Sequence, residues 1–487
     1  MISHFVLSPY FRTFSPQLTG IFCCLMFTAC STLPTHKTPS ETFALAESVS
    51  ISTLSPIQQQ LQQQKAQHPQ LTGYHLLANP TEALAARLAL IHTAQHHLDL
   101  QYYIWHNDKI GAMTLHALMQ AADRGVKIRL LIDDNNAQAI EGILFALNQH
   151  KNIQVKLFNP YRFRKYRGVD MLLDVKRINR RMHNKSLIAD RQLSIIGGRN
   201  ISNEYFNISH EFQFADIDVL LAGQANDDVR HSFDQYWQHD YAFAIQDVVK
   251  ARHHRLRYAE LKRQLNTFQQ KNEQQHDAQT QHIKQAAQDF QTWLEQQLQL
   301  EWVEGKLLSD LPDKVKNQAP QDSYLYHQLM TTLTPPQQQL DIISAYFIPQ
   351  THGVQRLSQF ENAGVDVRIL TNSFQSTDVK GVHAYYSPYR KALLQNGVEL
   401  YEFLPRTTIE EFMNSEQEIT KNHRKKRPKD EQDQKLFAGA SNSSLHAKSF
   451  IIDKKQVFIG SFNLDPRSIY YNTEMGVILN SPKLGET

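Results

Sequence analysis

The chain has 487 residues, of which 51 are Lys or Arg and 48 Asp or Glu, giving a net charge of +3 at pH 7. That length holds two or three domains of roughly 100–200 residues each. The charge is too even to imply a nucleic-acid partner, so any cationic surface that matters must be local. The three cysteines, Cys23, Cys24 and Cys30, leave nothing after residue 30 that could form an intramolecular disulfide.

From Leu18 to Ala29 the sequence LTGIFCCLMFTA is apolar and follows Arg12. It is shorter than the roughly 20 residues of a mature spanning helix, and residues 1–29 read as a secretory signal. FTAC at its end resembles a bacterial lipoprotein box, with Thr28 and Ala29 small and Cys30 as the residue to be lipidated. Acyl chains on Cys30 would anchor the chain to a cell or outer membrane, facing the periplasm. Residues 30–72, rich in Ser, Thr, Pro and Gln, look like a tether.

The remainder repeats itself. LDLQYYIW at 98–105 is followed by a helical pattern and RGVKIRLLIDD at 124–134; LDIISAYF at 340–347 is followed by AGVDVRILTNS at 363–373. Each helix ends at a glycine, Gly125 or Gly364, before a Val, Ile and Leu-rich strand suited to a buried parallel position. Strands stopped by proline follow, IQVKLFNP at 153–160 and VELYEFLP at 398–405. Then HNKSLIADRQLSIIGGRN at 183–200 matches HAKSFIIDKKQVFIGSFN at 446–463 without a gap.

Four matching elements in one order predict a tandem duplicated α/β/α domain, residues 73–249 and 311–487, with parallel strands joined by right-handed crossovers. The Gln-rich connector, 250–310, predicts a long, largely solvated helix. Residues 416–435 predict a charged, solvated insertion. The first half continues past its motif to HSFDQYWQHDYAF at 231–243, whereas the second stops at EMGVILNSPKLGET, so the second unit is expected to be C-terminally shortened. The histidines of HTAQHH at 92–97 and ARHHRLR at 251–257 look like surface residues.

Strand alternation places His183 with Lys185, and His446 with Lys448, on one face, while Asp190 and Asp453 fall where each strand turns. A charged Lys beside a His on a buried face is costly unless something pairs with it. Duplication supplies a reason, because equivalent strands meeting across a pseudo-twofold axis would bring two imidazoles and two ammonium groups into one shared site suited to a phosphate. One imidazole would attack phosphorus and the other would protonate the departing alcohol. Lys185 and Lys448, with Asn200 and Asn463, would stabilise the oxyanions. Asp190 and Asp453 are better suited to holding the strand turn. No metal or other cofactor is needed, since no carboxylate or thiol cluster at ligand spacing accompanies the histidines.

Each imidazole needs an acceptor on its other nitrogen. The second half offers Glu474. In the first half, counting from the motif's Asn gives Glu211, whereas aligning ADIDVLL with TEMGVIL gives Asp216, which is favoured as the support of His183. Before the first motif, RFRKYRGVDMLLDVKRINRRMHNK clusters basic residues with Tyr and Phe; Arg177, Arg180 and Arg181 would contact anionic lipid headgroups.

These residues resemble the phospholipase D superfamily signature, His-x-Lys-x4-Asp-x6-Gly-(Gly/Ser)-x-Asn, complete twice. The second copy also carries the downstream Arg467, Ser468, Asn472 and Glu474. Within the superfamily the chain is similar to the bacterial cardiolipin synthases of the C type over most of residues 72–480. That similarity rests on ALAARLALIHTAQHHLDLQYYIWHND, INRRMHNKSLIADRQLSIIGGRNISNEYF and VHAYYSPYRKALLQNGVELYE. It implies a phosphatidyl transfer joining two membrane phospholipids into cardiolipin, with phosphatidylethanolamine or phosphatidylglycerol as donor and phosphatidylglycerol as acceptor. It also implies His183 as nucleophile and His446 as acid and base. Hydrolysis of phospholipid headgroups and cleavage of nucleic acid are the alternatives that share this chemistry; an exported lipoprotein meets little nucleic acid. A non-catalytic membrane scaffold would not require two intact motifs.

Overall fold

A computed structural model describes Leu33 and residues 54–208, 212–250, 255–275, 277–405 and 443–486. The signal segment, Cys30, Glu211 and the 416–435 insertion lie outside these residues.

Two mixed sheets are built on one plan. The nine-stranded sheet runs, edge to edge, Glu301–Val303, Thr72–Leu77, Asp218–Gly223, Leu193–Gly197, Ser186–Ala189, His97–Tyr102, Lys127–Asp133, Ile153–Phe158 and Ala242–Ala244. The seven-stranded sheet runs Gly305–Ser309, Met475–Asn480, Gln456–Gly460, Lys448–Ile452, Gln339–Ser344, Asp366–Asn372 and Glu399–Phe403. Repeated sequence therefore occupies repeated position, with Glu304 as the point where the chain passes from one sheet to the other. Three strands in each sheet are parallel, as the crossovers require. The motif hairpins pair antiparallel to them, so the sheets are mixed where the sequence suggested parallel strands. Gly125 and Gly364 follow their helices at φ 106 and 86, a left-handed stop that glycine adopts without steric cost.

Alternation decides what each face touches. Ile195 and Leu220 join the core under the first half's outer helices, while their neighbours Ile196 and Val219 point the other way. In the second sheet Phe458 and Ile478 face outward, and Val457, Ile459 and Val477 share one core with Ile188, Ile196 and Val219. The sheets thus pack face to face through apolar residues from both halves, with helix Gln224–Gln238 filling the same layer through Val229, Phe233 and Trp237.

Two low-complexity stretches are more ordered than their composition suggested. The connector forms two helices, Tyr258–Gln274 and Ala278–Gln296, the second capped by Asp277. Ile283, Ala287, Phe290 and Leu294 recur at spacings of four, three and four and are buried in the first half's core. Within the expected tether, Pro56–Gln67 is a helix opened by a Ser55–Gln58 capping box, with Ile57 and Leu61 buried. Its glutamines are specific partners: Gln60 Nε2 donates to Glu295 O at 2.7 Å and Gln64 Nε2 to Leu298 O at 2.6 Å. His97 begins a central strand at 9 % exposure, against its expected surface position.

The motif aspartates close the hairpins. Asp190 and Arg191 sit at φ 46 and 60, and Asp453 and Lys454 at φ 50 and 54, the left-handed pair that opens each three-residue connection between the paired strands. The Asp190 carboxylate accepts N–H groups of Gln95, His96 and His97 at 2.7 to 2.9 Å. Asp453 does the same for Gln337, Gln338 and Gln339. Each aspartate thereby ties the motif hairpin to the start of the neighbouring strand and does not line the cavity that holds His183 and His446. Asp190→Ala strips an acceptor from three backbone donors and is expected to cost about 2 kcal/mol in urea unfolding. Asp190→Asn, which keeps one oxygen, should cost less.

Candidate active site

Each motif histidine stands on a segment that leaves its own half and pairs with the other. Met182 bridges Thr473, His183 N donates to Thr473 O at 2.9 Å, and Thr473 N donates to Arg181 O at 2.8 Å. In the other copy Ser443–Leu445 pairs in parallel with Gln213–Ala215, and His446 N donates to Ala215 O at 2.7 Å. The residue after each acceptor is acidic, Glu474 after Thr473 and Asp216 after Ala215, so these two are equivalent in the duplicated plan.

The carboxylates are consequently exchanged between halves. His183 Nδ1 lies 2.8 Å from Glu474 Oε2, and His446 Nδ1 lies 2.6 Å from Asp216 Oδ2. This corrects the expectation that Asp216 supports His183; the cross-half backbone pairing puts it beside His446. A carboxylate only accepts, so each Nδ1 carries the proton and each Nε2 presents its lone pair to the cavity.

The residue after the motif glycine tunes each pair. A Cβ on Gly198 would lie 2.1 Å from Asp216 Oδ1, so only glycine leaves room for that carboxylate. The matching position in the second copy is Ser461, whose hydroxyl donates to Glu474 Oε2 at 2.6 Å. Glu474 is held further by Asp310, whose Oδ2 accepts the Glu474 N–H at 2.9 Å. Asp310 in turn forms a fully buried ion pair with Lys314 at 2.9 Å.

Both imidazoles line one cavity of about 310 Å³. Asn200 and Asn463 line it too, with their side-chain oxygens accepting the N–H of Ile104 at 3.0 Å and of Tyr346 at 3.2 Å. Tyr103 packs edge-on to His183 and Tyr205 edge-on to His446. The cavity lining mixes aromatic residues, among them Tyr205, Phe214 and Tyr346, with polar ones, among them Asp378, Arg467, Ser468 and Asn472. None of the aromatic residues was singled out from the sequence, because nothing in their spacing marks them. Lys185 donates to His183 O at 2.6 Å, and Lys448 bonds His446 O and lies 3.0 Å from His446 Nδ1. Each ammonium group is thus held against the backbone carbonyl of the histidine two residues before it.

Burial governs the protonation states. It drives the His183 pKa down to about 4 against the raising effect of Glu474, and lowers that of His446, where Lys448 adds to the effect. Burial likewise brings Lys185 down to about 7 and lowers Lys448. The paired imidazoles, with Lys448 and Lys185 nearby, hold the Asp216 and Glu474 carboxyls below the usual carboxylate range against burial. Asp465, a cavity residue that caps the helix Pro466–Tyr470, is pushed up to about 6 by burial. At neutral pH both imidazoles are neutral.

The basic residues before the first motif are mostly used internally. Arg181, 1 % exposed, donates to Ile178 O and Asn159 O, and Arg177, 6 % exposed, bonds Asp174, Asn159 and Pro160. Their proposed lipid contact is thus corrected, because both guanidiniums are enclosed by these acceptors. Arg180 donates to Lys314 O at 3.0 Å and Tyr470 O at 2.9 Å, joining the two halves. Among the described residues, no group of three or more His, Cys, Asp or Glu is placed to hold a metal, and no helix is long and apolar enough to cross a membrane.

The exchange makes a specific prediction. Glu474→Gln, a change in the second half, should move the titration of His183 in the first half downward in histidine NMR and leave His446 in place; Asp216→Asn should do the reverse. The folded His183 pKa lies below its unfolded value of about 6.5. The unfolded chain therefore takes up this proton first as pH falls, so stability present above about 6.5 should be lost progressively towards pH 4 in urea titrations.

Residues 88–237 and 329–487 match the family described as "Cardiolipin synthase, PLD-like domain". The chain is 39 % identical to cardiolipin synthase C of Escherichia coli (strain K12) over 424 residues, covering 86 % of this chain and 84 % of that one. It is 24 % identical to a cardiolipin synthase of Geobacillus thermodenitrificans over 407 residues, 83 % of this chain and 62 % of the relative. A crystal structure of phosphatidylserine synthase from Haemophilus influenzae Rd KW20 shares the fold, with a TM-score of 0.50, 14 % identity and 87 % of each chain covered. The chain belongs to the PLD-like cardiolipin synthase family and is a phosphatidyltransferase of the phospholipase D superfamily.

Proposed function

We propose that the chain joins two phospholipids into cardiolipin through a phosphohistidine intermediate. The observation that carries this reading is the pair of carboxylate-held imidazoles whose Nε2 atoms face one cavity. His183 Nε2 attacks the donor phosphorus, the bond from phosphorus to the headgroup oxygen breaks, and His446, protonated on Nε2, gives that proton to the departing alcohol. The proton reaches His446 as the phosphodiester's negative charge enters and offsets the field of Lys448 and Lys185. His446 then removes a proton from a glycerol hydroxyl of phosphatidylglycerol, whose oxygen attacks phosphorus and displaces His183. The role of His183 as nucleophile follows the superfamily resemblance, as does the donor, phosphatidylethanolamine or phosphatidylglycerol.

The aromatic rings of Tyr205, Phe214 and Tyr346 in the cavity lining support a lipid acceptor over water, since they take up space that water would otherwise fill around the intermediate. We also propose that lipidation of Cys30 holds the chain on a periplasm-facing membrane surface; palmitate labelling of the full chain should be lost in Cys30→Ala.

With vesicles of phosphatidylglycerol and phosphatidylethanolamine, mass spectrometry should detect cardiolipin, and His183→Ala and His446→Ala should each reduce its formation by about 10³-fold. Phosphatidic acid as the sole product would make the enzyme a hydrolase. An alkaline quench should place the covalent phosphoryl group on His183; finding it on His446 would exchange the two roles.

A further inference from the structure

We propose that an exposed apolar helix beside the cavity inserts into the interfacial zone of an anionic phospholipid bilayer and seats the cavity mouth on it. The identity of the lipid as substrate rests on the function proposed above; the insertion itself does not.

Helix Arg167–Leu173 and the turn that follows it present Tyr166, Met171, Leu172, Leu173 and Val175 to solvent at 65, 47, 84, 59 and 48 % exposure. Single exposed apolar residues need no explanation, but a contiguous run of large ones does. This run is not a loose excursion. Its polar neighbours face inward: Asp170 Oδ2 accepts Phe163 N at 2.8 Å, and Arg177 Nη1 donates to Asn159 Oδ1 at 2.6 Å and Pro160 O at 2.8 Å. Arg164 is engaged with Asp134 and Glu141, and Arg162 with Asp174 at 2.9 Å. Charged residues inside and leucines outside invert the polarity of a water-facing helix, which fits an apolar surroundings on the outer side.

Two features select a bilayer over another apolar partner. Lys165 and Lys176 flank the run and are exposed, and each cation near an anionic headgroup surface strengthens attachment roughly fivefold. The run is also continuous with the mouth of the cavity. Asn179 accepts a hydrogen bond from the cavity residue Arg467 at 2.7 Å, and Arg180 reaches Tyr470 O. Tyr470 and Tyr471, at 49 and 39 % exposure, extend the rim onto the second half with the side chain preferred at membrane interfaces. Insertion at this rim would let a phospholipid headgroup reach the histidines with its acyl chains still in the bilayer.

The test uses the full chain in a Cys23→Ser, Cys24→Ser, Cys30→Ser background, with an environment-sensitive fluorophore on Leu172→Cys or, as control, on the exposed connector position Lys271→Cys. The probe reports its own depth whatever holds the N-terminus. Vesicles containing phosphatidylglycerol should blue-shift the probe at 172 and expose it to quenching by brominated lipid, and leave the probe at 271 unchanged. No shift at 172 overturns the proposal. So does a shift already present without vesicles: if lost on dilution it marks a second copy on this face, and if retained, a covering segment of the same chain.

Leu172→Asp with Leu173→Asp should lower turnover of lipid in vesicles by about tenfold or more. Turnover in detergent mixed micelles should stay within about twofold, as for a surface change away from the cavity. Equal loss in both assays would overturn the membrane role. A wild-type chain inactive on every phospholipid would refute the proposed function and leave the depth measurement to decide this inference alone.

Discussion

The exchange of carboxylates between the two halves is the constraint on which the rest of the molecule turns. His183 is oriented by Glu474 and His446 by Asp216, so neither repeat holds a working imidazole by itself. A buried imidazole and carboxylate are stabilising together only when their geometry is good and their remaining atoms are satisfied. The fold meets that condition with a rigid contact, Val457, Ile459 and Val477 packed against Ile188, Ile196 and Val219, and with backbone bonds on either side of both pairs. The apolar interface and the catalytic geometry are therefore one feature: a shift of the sheets would break both histidine supports together.

The two copies are equivalent in backbone and unlike in chemistry. Gly198 makes room for a short acid, whereas Ser461 grips a longer one that Asp310 and Lys314 also hold. Lys448 approaches the same nitrogen of His446 that Asp216 accepts from, and Lys185 has no matching contact with the His183 ring among the described residues. Such differences give two imidazoles of common origin unlike surroundings.

Surface polarity near the cavity runs opposite to the sequence's apparent message. A segment crowded with arginines suggests an electrostatic membrane contact, yet Arg164, Arg177 and Arg181 are spent on internal carboxylates and carbonyls. A guanidinium offers five donors in a fixed fork, which makes it an effective cross-brace for irregular backbone. What these braces hold outward is Met171, Leu172 and Leu173.

By itself the sequence determined the duplication, the order of strands and crossover helices, and the motif residues, because these depend on local periodicity and on a gapless repeat that any single chain displays. Strand pattern drew attention to Asp216 but assigned it to the wrong histidine. The sequence predicted a helix in the Gln-rich connector but not its burial, nor the helix Pro56–Gln67 within the expected tether, since Gln60 and Gln64 bind carbonyls more than 230 residues away. Nor did it reveal which acid serves which histidine, or which arginines face water. Those were decided only by tertiary structure, because hydrogen bonds such as Thr473 N to Arg181 O join residues far apart in sequence, and pairing across a symmetry axis leaves no periodic trace along the chain.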